Sequence, residues 1–296
     1  MTETVLITGA SGLVGRHLAV LLKLNGYRVL TLGRKPIGEG SFCWDPENEY
    51  IDSEALNQTD YIVHLAGASI GDKSWSAIRK AEILDSRVKS CELLHRKCQE
   101  NGIQLKSFVS ASAVGYYGDG AAFTEADPAG NGFLASVCEQ WEKAADRFQA
   151  SGIRTVKIRT GIVLSAEGGI LPQMIRPVRL GLGTPLGTGN QYIPWIHIQD
   201  LCQLYLLAIQ DKSWNGAYNA VAPEAMTNRT FTKALAAFFH KPYWPIPIPG
   251  LLIRLVLGER SELLLLGSKV RSTRLAESSY LFKFPDLSSA LIDLYP

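Results

Sequence analysis

Along the first half of the chain, short apolar runs alternate with longer stretches in which apolar residues recur three and four positions apart. Thr4-Val-Leu-Ile-Thr8 stops at Gly9, and Leu13, Leu18, Leu21 and Leu22 then keep helical spacing as far as Asn25-Gly26, a helix-stop signal. Tyr27–Leu32 reads as a second buried strand and completes a strand–helix–strand unit. The pattern goes on through a strand at Tyr61–Leu65, a helix over 76–101, a strand at Ser107–Ser110, a helix over 134–150 and a strand at Thr155–Arg159. Parallel strands need crossover helices of this length, so the repetition predicts an α/β fold with a Rossmann-type doubly wound parallel sheet.

Near residue 165 the pattern changes. Glycine and proline crowd 168–189, and Pro242, Pro245, Pro247 and Pro249 precede an apolar C-terminal stretch. The expected organisation is a dinucleotide-binding domain over 1–165, a substrate-side region over 166–249 interleaved with the sheet, and a smaller C-terminal helical cap over 250–296.

Composition removes several classes of function. In 296 residues, 30 Lys and Arg against 28 Asp and Glu leave a net charge of +2, too little for a surface built to hold a nucleic-acid backbone. Five cysteines with no C-x-x-C pair read as buried reduced thiols, and the five histidines share no metal-ligand spacing. The start, Met1-Thr-Glu-Thr, has no cationic leader, and the apolar stretches at Leu251–Leu257 and Leu263–Leu266 are far below spanning length. The expectation is a cytoplasmic protein with no metal and neither nucleic acid nor a membrane as partner.

The turn Gly9-Ala-Ser11-Gly12-Leu13-Val14-Gly15 follows a strand and opens a helix. Gly9 lets the chain leave the strand, Gly12 lets backbone N–H groups approach a pyrophosphate, and Gly15 lets the helix lie close to the sheet. A packing-only glycine turn is the alternative. An NAD site wants a carboxylate about 20 residues farther on, but the second strand ends Gly33-Arg34-Lys35. The planar fork of Arg34 suits a ribose 2′-phosphate and Lys35 adds charge, which predicts NADP(H) as cofactor. Leu65-Ala66-Gly67 ends another strand at the same sheet edge with small residues that let a cofactor pass. Glu82 and Ser86 share a helix face flanked by Arg87, offering a ribose acceptor and a phosphate donor unless Glu82 is simply solvated.

These residues, with Ser110-Ala-Ser112-Ala-Val-Gly-Tyr116-Tyr117-Gly118 and Trp195-Ile-His197-Ile-Gln-Asp200, resemble an extended short-chain dehydrogenase/reductase. Trp44-Asp45-Pro46, Ser86-Arg87, Trp141-Glu142, Arg159-Thr-Gly161-Ile-Val-Leu164, Gly187-x-Gly189-x-Gln191 and Phe282-x-Phe284-Pro285 narrow the resemblance to its YfcH-like, nucleoside-diphosphate-sugar epimerase-like branch, whose C-terminal domain has no assigned function. The resemblance implies cofactor contacts at Ser110 and, through its main chain, at Val163. In active members of the wider family a Ser, a Tyr and a Lys work together on a carbonyl. Ser112 matches the serine, but the Tyr and Lys positions fall on Leu134 and Cys138. Leucine has no proton to exchange, and a thiol supplies no cation. The branch is known for lacking this pair.

Ser112, with Tyr116 as a proton donor or a pocket wall, is therefore the expected catalytic pair. Gln191 and Trp195 are the expected substrate contacts, an amide and an aromatic face for a sugar-like ring. His197 and Asp200 read as a buried hydrogen-bonded pair, and His64 likewise as structural. The expected function is an NADP(H)-dependent oxidoreductase or epimerase-like enzyme on a carbonyl or nucleotide-sugar-like small molecule. The rival is a non-catalytic NADP(H) sensor. The resemblance leaves a homodimer open.

Overall fold

The first strand, Thr4–Thr8 (β1), is buried at every position because it lies inside a sheet covered on both faces. A computed structural model describes residues 2–119 and 122–296; Met1, where the sequence reading starts, lies outside them. After β1 come Leu13–Leu24 (α1), Arg28–Gly33 (β2), Ser41–Asp45 (β3), Tyr50–Ile51 (β4), Ser53–Asn57 (α2), Tyr61–His64 (β5), Ala77–Glu100 (α3) and Ser107–Ala113 (β6). A single 3-10 turn, Val114–Tyr116, leads to Ala122–Phe123 (β7), Phe133–Ala150 (α4), Thr155–Thr160 (β8), Ile162–Leu164 (β9), Leu171–Arg179 (α5), Tyr192–Ile193 (β10), Trp195–His197 (β11), Ile198–Gln210 (α6) and Gly216–Ala220 (β12). The chain ends with Met226–Thr227 (β13), Asn228–Phe238 (α7), Gly250–Leu257 (α8), Glu262–Leu265 (α9), Lys269–Val270 (β14), Thr273–Glu277 (α10) and Leu287–Leu294 (α11).

The main sheet has eight strands in the order β12-β8-β6-β5-β1-β2-β3-β4, parallel throughout except for β4. This is the expected doubly wound α/β fold. Side chains alternate across it: Val5 and Ile7 pack with Leu18, Leu22 and the Leu201–Ile209 face of α6, whereas Leu6 packs with Leu94, Phe108 and Phe148 from the α3–α4 side. A further core around Trp195, Phe231, Leu235, Phe284 and Leu291 joins the C-terminal half to the sheet edge.

The sequence pattern understated the sheet. β6 continues through Ala111–Ala113 and β12 reads Gly-Ala-Tyr-Asn-Ala, segments poor in the branched residues that mark a strand. Both are strands because β8 supplies their hydrogen-bonding partner. The stretch after 250 does form short helices, and its β14 pairs with β7. Asp200 fastens this stretch, accepting from the backbone N–H of Lys283 at 2.8 Å and of Phe284 at 3.0 Å. His197 does not join it: its Nδ1 accepts from the Gln199 N–H at 3.2 Å and its Nε2 lies 3.3 Å from Asp293 without a hydrogen bond, so the expected His197–Asp200 pair does not form.

Candidate functional site

Strand order reverses between β1 and β5, and the crevice beyond their carboxyl ends is where open α/β sheets hold ligands. Two glycines there are dictated by space. A side chain at Gly9, whose φ is +68°, would put its Cβ 2.9 Å from the Leu65 carbonyl oxygen and the Ala66 nitrogen; at Gly15 it would come 2.5 Å from the Gly9 oxygen. Gly12 is the N-cap of α1, and no side chain caps that helix, unlike α3, where Ser76 accepts from the Arg79 N–H. The first turn of α1 is a positive helix end lined by the exposed Ser11 and Gly12 and the half-buried Leu13 and Val14.

At the end of β2, Gly33 is followed by exposed Arg34 and Lys35, neither of which pairs with a carboxylate among the described residues. Glu82 projects from α3 and is bound by Arg79 at 2.6 Å. The Arg79 hydrogen bond and charge, with Lys73 and Arg34 adding to them, hold its carboxyl below the usual range. Arg87 lies beneath the Leu65-Ala66-Gly67 stretch: a Cβ on Gly67 would meet its guanidinium carbon at 2.9 Å. It donates to the Ile83 carbonyl at 2.8 Å and stacks 5.2 Å from the Trp141 ring, and burial lowers its pKa. Glu82 and Arg87 thus face the crevice from one helix, but each is already held by a protein group.

His64 ties the crevice floor together, sharing a hydrogen bond with Thr8 at 2.8 Å and with Ser90 at 3.2 Å. Complete burial pushes it down to about 4, which makes it a neutral structural residue.

The end of β6 carries a buried network of connected polar side chains. Ser112 and Arg159 are register partners on β6 and β8. The Ser112 hydroxyl donates to Glu142 Oε1 at 2.7 Å, and Arg159 grips both carboxylate oxygens, from Nε at 2.8 Å and from Nη2 at 2.9 Å. Arg159 Nη1 donates to the Tyr117 hydroxyl at 2.8 Å, which in turn donates to Asn219 Oδ1 at 2.8 Å. All five are buried. Burial pushes Tyr117 up to about 12, while the ion pair with Glu142 outweighs burial and raises the pKa of Arg159. The one proton of Ser112, expected to serve a substrate carbonyl, is here given to a buried carboxylate.

Tyr116 sits beside this network with the Arg159 guanidinium 3.5 Å from its ring centre, and its hydroxyl has no hydrogen-bond partner among the described residues. Leu134 and Cys138 pack on the same turn. A Cβ on Gly115 would lie 3.5 Å from the Leu134 Cβ and 3.9 Å from the Cys138 sulfur. Burial, with Glu142 nearby, pushes the Cys138 thiol up to about 12, so it is no nucleophile at neutral pH.

Three expected contacts are placed away from the crevice surface. Trp195 is wholly buried in the core with Phe231 and Leu235 and offers no face to a ligand. Ser110 is buried within β6 and donates to the Ala111 carbonyl at 2.9 Å. Gln191 is buried too, its amide nitrogen donating to the carbonyls of Leu186 at 3.0 Å and Leu264 at 2.8 Å while its Oε1 has no partner among the described residues. Val163 is half-buried in β9, which runs beside β11. Two contributors that the sequence reading missed come from the C-terminal segment. Arg260 donates to the Gly71 carbonyl at 2.8 Å and Glu259 meets Lys80 at 2.7 Å, so this segment closes onto the loop between β5 and α3. No spacing signal marks them. Among the described residues no group of three or more His, Cys, Asp or Glu is placed to hold a metal ion, and no helix is long and apolar enough to cross a membrane.

The NAD dependent epimerase/dehydratase family model matches residues 5–220, and a domain of unknown function, DUF1731, matches 248–294. The chain belongs to this epimerase family. An epimerase family protein of Mycobacterium leprae is 36% identical over 291 residues, covering 97% of this chain and 94% of its own. The crystal structure of human epimerase family protein SDR39U1 (isoform 2) with NADPH superposes with a TM-score of 0.89 at 33% identity, covering 99% of both chains. A nucleoside-diphosphate sugar epimerase from Corynebacterium glutamicum has a TM-score of 0.83 at 33% identity, over 99% of this chain and 58% of that one. In this member of the epimerase family the DUF1731 segment contains both Arg260 and Glu259, so it is this segment that contacts Gly71 in the loop after β5 and Lys80 near the start of α3.

Proposed function

We propose that this protein binds NADP(H) in the crevice above β1 and β5 and serves as an oxidoreductase or epimerase-like enzyme on a carbonyl or nucleotide-sugar-like small molecule. The observation that carries the cofactor choice is Arg34 with Lys35, two exposed cations without carboxylate partners at the point where an NAD site would present an acid. The residues fit the group. Gly9, Gly12 and Gly15 leave a side-chain-free approach to the uncapped first turn of α1, whose N–H groups and dipole would hold the pyrophosphate. Arg34 would grip the 2′-phosphate, with Glu82 and Arg87 bordering the ribose end. NADPH in the human relative supports this reading. A bound nicotinamide supplies hydride chemistry.

The chain's own contribution centres on Tyr116. Its ring is held against Arg159, and its unpaired hydroxyl is the proton-bearing group left at the end of β6 once Ser112 is committed to Glu142. Ser112 then acts by holding the β6 end through Glu142. The second reading, an NADP(H) sensor without turnover, draws on Leu134 and Cys138 lining the turn where a proton-transfer pair would stand.

Titration calorimetry with NADPH and NADH tests the proposal. A preference for NADPH of about tenfold or more supports it, and no binding of either overturns it. Turnover of any carbonyl or nucleotide sugar separates enzyme from sensor.

A further inference from the structure

We infer that the face formed by α8 and the segment before it docks on an anionic phospholipid surface. Leu251, Leu252, Leu255 and Val256 form one stripe along α8, and Leu251, Leu255 and Val256 are 78, 82 and 81% exposed, while Ile253 on the other side is buried. The stripe runs on into the preceding segment, where Ile246 is 78% and Trp244 is 56% exposed. That segment is a rigid platform. The Trp244 N–H donates to the Gly183 carbonyl at 2.8 Å, the Trp244 indole to the Gly181 carbonyl at 2.9 Å, and the Ile248 N–H to the Pro185 carbonyl at 2.9 Å. Between platform and helix lies an open groove of about 300 Å³ lined only by apolar residues, among them Leu186, Ile248, Leu252 and Val256. Monomeric proteins rarely expose an apolar surface this continuous without a use for it.

Charge decides the occupant. Residues 168–199 and 225–258, which build this platform and its flanks, contain Arg176, Arg179, Arg229, Lys233, Lys241 and Arg254 and not one Asp or Glu, although the rest of the chain carries more carboxylates than cations. None of these six cations forms an ion pair among the described residues, in contrast to α3, where Lys89 and Lys97 are paired with Asp85 and Glu100. Of the acids that follow α8, Glu259 is turned to Lys80, and Glu262 shares a cleft with Arg254 at the end of the helix, which leaves Lys241, Arg229, Lys233, Arg176 and Arg179 as the cations with no acid beside them in sequence. A second copy docking here by two-fold symmetry would set two faces with the same excess of cations against each other, which opposes self-association. An anionic bilayer surface accepts both halves of the pattern, apolar side chains entering the headgroup boundary and unpaired cations on the phosphates. Trp244 has the amphipathic ring that favours that boundary. The eight residues of α8 span only about 12 Å and lie in the surface plane rather than across it. That no helix among the described residues is long and apolar enough to cross a membrane does not bear on docking at its surface.

Flotation of the full-length protein with phosphatidylcholine vesicles, alone and mixed with phosphatidylglycerol, tests the inference. Association with the anionic vesicles at least about tenfold tighter than with the neutral ones, weakened by salt, is expected. The double variant Leu251→Asp/Leu255→Asp should lose it, and Lys241→Gln and Arg254→Gln should each weaken it about fivefold. Trp244 gives a separate readout, since Trp44, Trp75, Trp141, Trp195 and Trp214 are all buried. Vesicles with brominated acyl chains should quench the wild-type emission and leave Trp244→Phe unquenched, a result that stands even where the Asp variant fails to fold. Absence of binding to anionic vesicles, equal binding by a folded double variant, or unquenched Trp244 overturns the inference. So does a dimer in solution that the double variant dissociates, which would assign the face to a second copy. NADPH titration of the same variants reads the cofactor proposal separately.

Discussion

Ser112 and Glu142 are 30 residues apart in the chain, yet the serine hydroxyl donates to the glutamate at 2.7 Å, and the same oxygen accepts from Arg159 Nε at 2.8 Å. A hydroxyl has one proton to give. With that proton on a buried carboxylate, Ser112 serves as a strut of the β6 end, and the ring of Tyr116 rests on Arg159, the other partner of the carboxylate.

Breaking the ion pair from one side should cost far more than removing the serine. Glu142→Leu strands the buried Arg159 guanidinium, and a loss of about 3–5 kcal/mol in denaturant unfolding is expected. Ser112→Ala removes a single hydrogen bond to a charged group and should cost about 1–3 kcal/mol while leaving NADPH affinity unchanged. Equal losses for the two variants would contradict the assigned network.

Arg34→Ala should abolish the preference for NADPH over NADH. A change of about 1.4 kcal/mol or more, confined to the phosphorylated nucleotide, is the expected calorimetric signature. Parallel weakening of both nucleotides would instead place Arg34 away from the 2′-phosphate.

Tyr116→Phe keeps the ring on Arg159 and deletes only the hydroxyl. In an assay with a responsive carbonyl substrate, turnover should fall about 100-fold or more, with cofactor affinity retained, as for loss of a general acid. Retained turnover would reduce Tyr116 to a wall of the pocket.

His64 makes stability depend on pH. Burial depresses its pKa from 6.5 to about 4, so between these values the unfolded chain binds a proton that the folded chain refuses. Stability therefore rises with pH across that window: the His64 contribution is complete above 6.5 and is lost as pH falls toward 4, by about 3 kcal/mol at most. His197, depressed to about 4 mainly by burial, acts in the same direction. Denaturant unfolding of His64→Gln should show a slope against pH smaller by one proton in this range; an unchanged slope would show that His64 titrates normally.

The apolar runs at 4–8 and 155–159 and the stop signal at Asn25-Gly26 were enough to predict the alternation of strands and helices, because each depends on neighbours within a few residues. The glycine spacing at 9, 12 and 15 and the cations at 34 and 35 were legible for the same reason. Less was legible where a side chain's partner is distant. Trp195 looked like a ligand-stacking ring and is core, since an aromatic residue has the same local signature in either setting. Strand β12 has a weak pattern of its own and exists because β8 offers it an edge.

By itself, then, the amino-acid sequence determined the fold class, the glycine turn that opens α1 and the two exposed cations after β2, all of them properties of short segments. The tertiary structure alone decided where the polar groups find their partners. Ser112 reaches Glu142 from another element, Tyr117 reaches Asn219 across 102 residues, and Asp200 holds a backbone 84 residues away. Most buried polar atoms are paired, and the partner each takes is set by sheet register and burial, neither of which is written in the spacing along the chain.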